Sequence, residues 1–233
     1  MAGGHVKAIM FDFDLTLADS SNGIVECTRY ALRAMGITEA ERERIHSVIG
    51  LTLQGMFQTL TGNGETERAD EFARLFVERA DEVMVSSTQI YREVPDLFEQ
   101  LRGQGINVAI VSSKFRYRIE SILDAARLRP LVDLIVGGED VQRRKPHPDA
   151  LVLALTHLRV PAASAMYVGD HPVDAEAARA AGVSFVGVLT GTMSAEHWSA
   201  RGERCVKAHV GELAQLVRGS ERAGVSVADG HRP

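Results

Sequence analysis

The sequence predicts an α/β fold: a parallel sheet with helices on both faces, interrupted early by an inserted helical block. Three observations carry that reading. From Pro95 to about residue 188, short apolar runs alternate with helical patterns, the rhythm of βαβ units. Between the first apolar run and Pro95 lies a long stretch with helical periodicity and almost no strand signal. Acidic, hydroxyl and basic residues stand at the ends of the apolar runs, where open parallel sheets place their sites.

Residues 6–13 form an apolar run ending in acids, as a buried parallel strand entering a loop does. Ser20 stands as a helix cap, and Ile24, Ala31, Leu32 and Met35 recur at helical spacing before Gly36. Helical patterns continue through 39–48, 53–60 and 65–85. After Pro95, residues 96–104 read as a helix closed by Gly105, and Asn107–Val111 as a strand. A helix at 115–126, a strand at Leu134–Val136 and a helix at Asp149–Leu158 follow. Then come a strand at 165–168, a helix at 173–181 stopped by Gly182, and a strand at Ser184–Val188. A last helix is expected at 210–217, and the polar, aperiodic residues 219–233 read as a flexible tail. The expected organisation is an α/β core from 1–17 and 91–218, a helical block at 18–90, and the tail.

Composition bounds the function. The chain has 233 residues, 45% hydrophobic and 24% charged, enough to bury a core without crosslinks. Its formal net charge of −5 leaves no electrostatic footprint for nucleic acid or an anionic membrane. A phosphate site would therefore be local, built from a few basic groups and backbone amides. Cys27 and Cys205 share no metal-ligand spacing and read as packed, reduced thiols. No apolar run reaches the roughly 18 residues that span a bilayer, and residues 1–5 do not open a signal peptide. The cytoplasm is the expected location.

Four features carry chemistry. Asp12-Phe13-Asp14-Leu15-Thr16 directly follows the first apolar run. Side chains two apart in extended backbone point the same way, so the two carboxylates can share a pocket, where their repulsion calls for a cation or a shared proton. A hard divalent ion with oxygen ligands such as magnesium resolves it; taken alone, the pair also reads as loop acids. Ser112-Ser113-Lys114 follows the strand at Asn107–Val111, and a hydroxyl with free amides at a helix start suits an anion, although serine there is commonly just a cap. Lys145, between Arg144 and Pro146-His147-Pro148, offers a rigidly held point charge to phosphate. Arg143 and Arg144 read as solvated loop charges. Gly169-Asp170-His171-Pro172-Val173-Asp174 follows the strand at 165–168; Asp170 emerges as a metal ligand and Asp174 reaches the same place one helical turn on. His171 finds no second His or Cys at ligand spacing, which argues against zinc.

In order and placement these motifs resemble those of the haloacid dehalogenase superfamily of phosphohydrolases, over about residues 6–217. Phe11-Asp12-Phe13-Asp14-Leu15-Thr16-Leu17-Ala18-Asp19-Ser20, Ile49-Gly50-Leu51 and the run from Gly169 to Gly182 are similar to its phosphoglycolate-phosphatase-like subgroup. Leu15 stands where glycine is common there, and His171 where serine or threonine is. The resemblance implies a Rossmann-like core with a helical cap at 18–90 and a Mg²⁺-dependent phosphatase acting on a small phosphorylated metabolite.

It further implies Asp12 as nucleophile, Asp14 as general acid–base, and Ser112, Ser113 and Lys145 on the phosphoryl group. Mg²⁺ would sit on Asp12, Asp14 (through its carbonyl), Asp170 and Asp174. Within the cap, residues 49–56, with Ile49, Gly50, Leu51 and Gln54, are expected to reach the leaving group; Arg29 and Arg33 read as solvated helix charges, with a substrate carboxylate as the alternative. A phosphomutase or an inorganic pyrophosphatase of the same superfamily, and more distantly a non-catalytic phosphate-ester-binding regulator, stay open. A monomer or homodimer is expected.

Overall fold

The computed structural model describes residues 5–62 and 67–214. β1 (Ala8–Phe11) leads into the two-residue strand β2 (Ala18–Asp19) and then into α1 (Ser21–Ala34), α2 (Arg42–His46), α3 (Leu53–Thr61) and α4 (Ala69–Val83). β3 (Gln89–Ile90) pairs antiparallel with β2, so a short ribbon joins the points where the helical block leaves and returns. From there the chain alternates: α5 (Val94–Gly103), β4 (Asn107–Val111), α6 (Arg116–Ala125), β5 (Leu134–Val136), α7 (Asp149–Leu158), β6 (Ala165–Gly169), α8 (Pro172–Ala181) and β7 (Ser184–Val188). α9 (Ala195–Ala200) and β8 (Val206–Lys207) complete it.

The six-stranded sheet runs β5-β4-β1-β6-β7-β8, every pair parallel. β1 is therefore central, with Ala8 paired to Asn107 on one side and Ala165 on the other. The chain builds outward through β4 and β5, then crosses back to β6 on the far side of β1. That reversal opens a crevice beyond the carboxyl ends of β4, β1 and β6.

A strand presents alternate residues to opposite faces. Ile9 and Phe11 of β1 join Val108, Ile110, Phe98 and Ile119 on one face, with α5 and α6. Ala8 and Met10 join Ala109, Val111, Leu151 and Ala178 on the other, with α7 and α8. Both faces of the strand are covered, which is why the strands read as unbroken apolar runs. In the helical block α1 and α3 pack on α4, and the Phe57 and Phe72 rings stack at 5.0 Å.

Several elements differ from expectation. The pattern at 39–48 yields only α2: Glu41 is still extended, and Ser47 Oγ bonds back to the Arg44 carbonyl as the chain turns Val48 and Ile49 inward. β2 and β3 are too short to show a period. The helix expected at 210–217 opens as a 3₁₀ turn at Val210–Glu212 and is helical at 213–214, with 215–217 and the tail at 219–233 outside the described residues. α9 was not expected, and it delivers Trp198, fully buried, against the Phe185 ring at 5.5 Å. Gly187 on β7 makes room: a Cβ there would meet the indole at 3.1 Å. Trp198→Ala should lower unfolding free energy by about 3–5 kcal/mol, measured by urea denaturation followed by circular dichroism. A loss below about 1 kcal/mol would mean α9 is not part of the core.

Candidate active site

Three neighbouring strands deliver the site. β1 ends at Asp12, whose N–H donates to the Val168 carbonyl at 2.8 Å. β4 ends at Ser112, whose N–H donates to Val136 at 3.0 Å. β6 ends at Gly169 and Asp170, and α8 starts at once. A capping box fixes that start: the His171 ring accepts from Val173 N–H at 3.3 Å, and the Asp174 carboxylate accepts from His171 N–H at 3.0 Å. Pro172 preorganises the first turn. Gly169 is required here, because a Cβ would lie 2.5 Å from Asp174 Oδ2.

Lys145, in the loop between β5 and α7, reaches into the middle. Its Nζ is 2.9 Å from Asp12 Oδ1 and 2.6 Å from Asp174 Oδ1, and it donates to Tyr167 Oη at 3.1 Å. The Tyr167 hydroxyl in turn donates to the Val111 carbonyl at 2.8 Å. Burial works against the Lys145 ammonium, but the charges of Asp12 and Asp174 outweigh it and hold its pKa well above the ordinary value. Burial pushes the Asp12 carboxyl up to about 6 against the pull of Lys145, with the negative charge of Asp174 adding to the rise. Asp170 is likewise raised well above the ordinary carboxylate range, by burial first and then by Asp174 and Asp12.

One oxygen from each of Asp12, Asp170 and Asp174 lies within 4.8 Å of the others. Asp12 Oδ1, although an ion-pair partner of Lys145, has no hydrogen bond in proper geometry among the described residues. A buried anionic oxygen whose charged partner, Lys145, is shared with Asp174, beside two more carboxylates, fits a hard cation. Thr16 Oγ1 donates to Asp170 Oδ1 at 3.0 Å and fixes that side chain. Gly191, in the loop after β7, backs the other oxygen so closely that a Cβ would sit 2.1 Å from Asp170 Oδ2. The His171 Nδ1 is taken by the cap, and burial, aided by the Lys145 charge, pushes the ring down to about 4. The group that clusters here among the described residues is the three acids alone.

Asp14 stands apart from this group. Its carboxylate is held by Lys114 Nζ at 2.8 Å, and both line a cavity of about 60 Å³ with Asp12, Ser112 and Ser113. Leu15 adopts a left-handed backbone, φ 59°. That conformation explains why glycine is common at this position, and here the buried leucine side chain anchors the turn. The Leu15 N–H donates to Ala18 and its carbonyl accepts from Thr190 Oγ1 at 2.6 Å.

The structure thus brings Asp12, Lys145, Asp170 and Asp174 into contact or near contact, and puts Asp14, Ser112 and Ser113 around the same cavity. Gly50 and Leu51 also line that cavity. Ile49 is buried in the core cluster instead, and Gln54 lines a separate outer groove and bonds Asp70 at 3.4 Å. Arg29 and Arg33 pair with Glu39 and border a different cleft. Sequence reasoning gave no role to Lys114, Tyr167 or Arg118, all buried. Lys114 was visible beside the serines; Tyr167 was hidden in an apolar strand, and Arg118 in an ordinary amphipathic helix.

A family model described as haloacid dehalogenase-like hydrolase matches residues 9–188. Among curated proteins, a probable phosphatase of Dickeya dadantii, IndB, is 33% identical over 186 residues, covering 78% of this chain and 81% of that one. The phosphoglycolate phosphatase of Escherichia coli is 27% identical over 207 residues, covering 80% and 82%. Among solved structures, a haloacid dehalogenase-like hydrolase of Bacteroides fragilis superposes with a TM-score of 0.86 at 38% identity, covering 89% of this chain and 99% of that one. With its sheet order, its strand-end acids and these relatives in agreement, the chain belongs to the haloacid dehalogenase-like hydrolase family, in its phosphoglycolate-phosphatase-like group.

Proposed function

We propose that this hydrolase is a magnesium-dependent phosphatase that cleaves a small phosphate monoester through a phosphorylated Asp12. The observation that carries the reading is the separation of the two acids of the first motif. Asp12 is drawn into the buried carboxylate group beside Lys145, while Asp14 is held on the cavity wall by Lys114. This separation supports one acid attacking and the other moving a proton.

In this reading an Asp12 carboxylate oxygen forms a bond to phosphorus as the ester P–O bond breaks. Asp14 gives its proton to the departing alkoxide, then takes one from the water that hydrolyses the acyl phosphate. Lys145 and the hydroxyls and amides of Ser112 and Ser113 hold the phosphoryl oxygens, where charge is carried through the transition state. Lys114 steadies Asp14 between its two duties. Asp12, Asp170 and Asp174 would hold the magnesium ion, with the Asp14 carbonyl as the resemblance implies. When bound, the ion supplies positive charge that offsets the crowded carboxylates and the phosphoryl oxygens.

The helical block at 18–90 acts as a cap over this chemistry. Its contribution to the cavity wall is apolar, from Ile24, Leu53, Met56, Phe76 and Met84, which excludes water around the leaving group. Gly50 packs against the His171 ring, where a Cβ would come within 3.3 Å, so the cap loop rests on the residue next to Asp170.

Two results are expected. Asp12→Asn should lower turnover of p-nitrophenyl phosphate by at least about 10³-fold with its thermal melt retained. A variant keeping a tenth of wild-type turnover, with deamidation excluded, would remove Asp12 as nucleophile. Gly191→Ala should drive its Cβ into Asp170 and weaken magnesium binding by about 10- to 100-fold, read by calorimetry. Unchanged affinity would show that Asp170 does not hold the ion.

A further inference from the structure

The cavity wall holds a charged side chain that this chemistry does not use. Arg118 lies on α6, just past the Ser112–Lys114 segment, is 5% exposed, and lines the cavity together with Asp12 and Asp14. Its Nη2 makes the bonds: to the Asp81 carboxylate on α4, to Tyr117 Oη at 2.8 Å and to the Val77 carbonyl at 3.5 Å. Tyr117 Oη donates in turn to Asp81 at 2.7 Å. The guanidinium carbon stands 5.2 Å from the Tyr117 ring centre and 5.8 Å from that of Phe115, so the fork has aromatic neighbours as well as hydrogen bonds.

Its Nε is different. It is buried and has no hydrogen-bond acceptor among the described residues. A guanidinium cannot shed its proton to escape that condition, and a buried donor without an acceptor is costly. The Asp81 pair does not account for it: Asp81 is 49% exposed at its side chain, and an ion pair open to water contributes little. The cap side of the cavity is otherwise apolar. A leaving group entering there meets hydrocarbon beside the Arg118 side chain, whose Nε–H is unmet.

We propose that Arg118 is a specificity-determining residue, whose Nε–H donates to an acceptor oxygen on the leaving group of the ester. This rests on the phosphatase reading and extends it to the choice of substrate. The chain would favour esters whose leaving group carries a carboxylate or hydroxyl oxygen over alkyl esters of the same size, because an alkyl group leaves the buried donor unmet. The two aromatic rings flank the fork, and Asp81 ties its Nη2 to α4.

The test compares kcat/KM for three two-carbon esters, phosphoglycolate, 2-hydroxyethyl phosphate and ethyl phosphate, with the full chain and magnesium. Hydroxyethyl and carboxylate arms separate the two kinds of acceptor. Arg118→Lys keeps the charge but loses Nε. It should cut the ratio of the better acceptor-bearing ester to ethyl phosphate by about 10-fold or more. Asp81→Asn, which weakens the tie to α4 and leaves the guanidinium, should keep that ratio within about 3-fold. Equal losses on all three esters, or an Asp81→Asn ratio that falls as far as that of Arg118→Lys, would make Arg118 a structural tie and overturn the proposal. So would an unchanged ratio in Arg118→Lys. A wild-type chain that hydrolyses none of the three, nor p-nitrophenyl phosphate, would instead remove the phosphatase reading, and this inference with it.

Discussion

One buried ammonium organises this molecule's working end. Lys145, 3% exposed at its side chain, touches Asp12 and Asp174, and Asp170 lies beside them. Three carboxylates face one lysine there, so full ionisation would leave two negative charges uncompensated in a place largely closed to water. Burying even a matched pair is expensive unless its geometry is good and its other lone pairs are met. Much of the local architecture meets that demand: Thr16 on Asp170, the His171 amide on Asp174, and Tyr167 on Lys145. The remaining imbalance shows in Asp12 and Asp170, both raised above the ordinary carboxylate range. A divalent cation matches that imbalance in charge and in its preference for oxygen.

The sheet makes the arrangement possible. Only neighbouring parallel strands can end their carboxyl termini within a few ångströms of one another, and β4, β1 and β6 are neighbours. The glycines at 169 and 191 then let backbone approach where any side chain would displace a carboxylate. The helical block adds a different kind of surface. It brings apolar residues over a charged floor, and Arg118 of α6 meets Asp81 of α4 where the two surfaces join.

Much of this was legible in the sequence, for physical reasons. Strands buried on both faces must be apolar throughout, so Asn107–Val111, Leu134–Val136 and Ser184–Val188 read directly, and the acids at strand ends stand out against them. What escaped notice were effects without a local period. A two-residue ribbon such as β2 with β3 is too short to alternate. Trp198 sits on a six-residue helix whose burial comes from a distant glycine. Gln54 and Gly50 lie four residues apart in one loop-and-helix segment, yet only Gly50 faces the cavity. Arg118 looks like any surface arginine until α4 is folded over it. Long-range packing decides such cases, and neither spacing nor composition records it.

If Lys145 is the shared counter-ion of the carboxylate group, it competes electrostatically with the metal for the same oxygens. The most direct measurement is the rise in melting temperature on adding Mg²⁺ to wild type and to Lys145→Met, since a ligand that binds the folded state stabilises it according to its affinity. Removing the ammonium should enlarge that rise, because the unpaired carboxylates bind the cation more tightly. An equal or smaller rise in Lys145→Met would contradict the account.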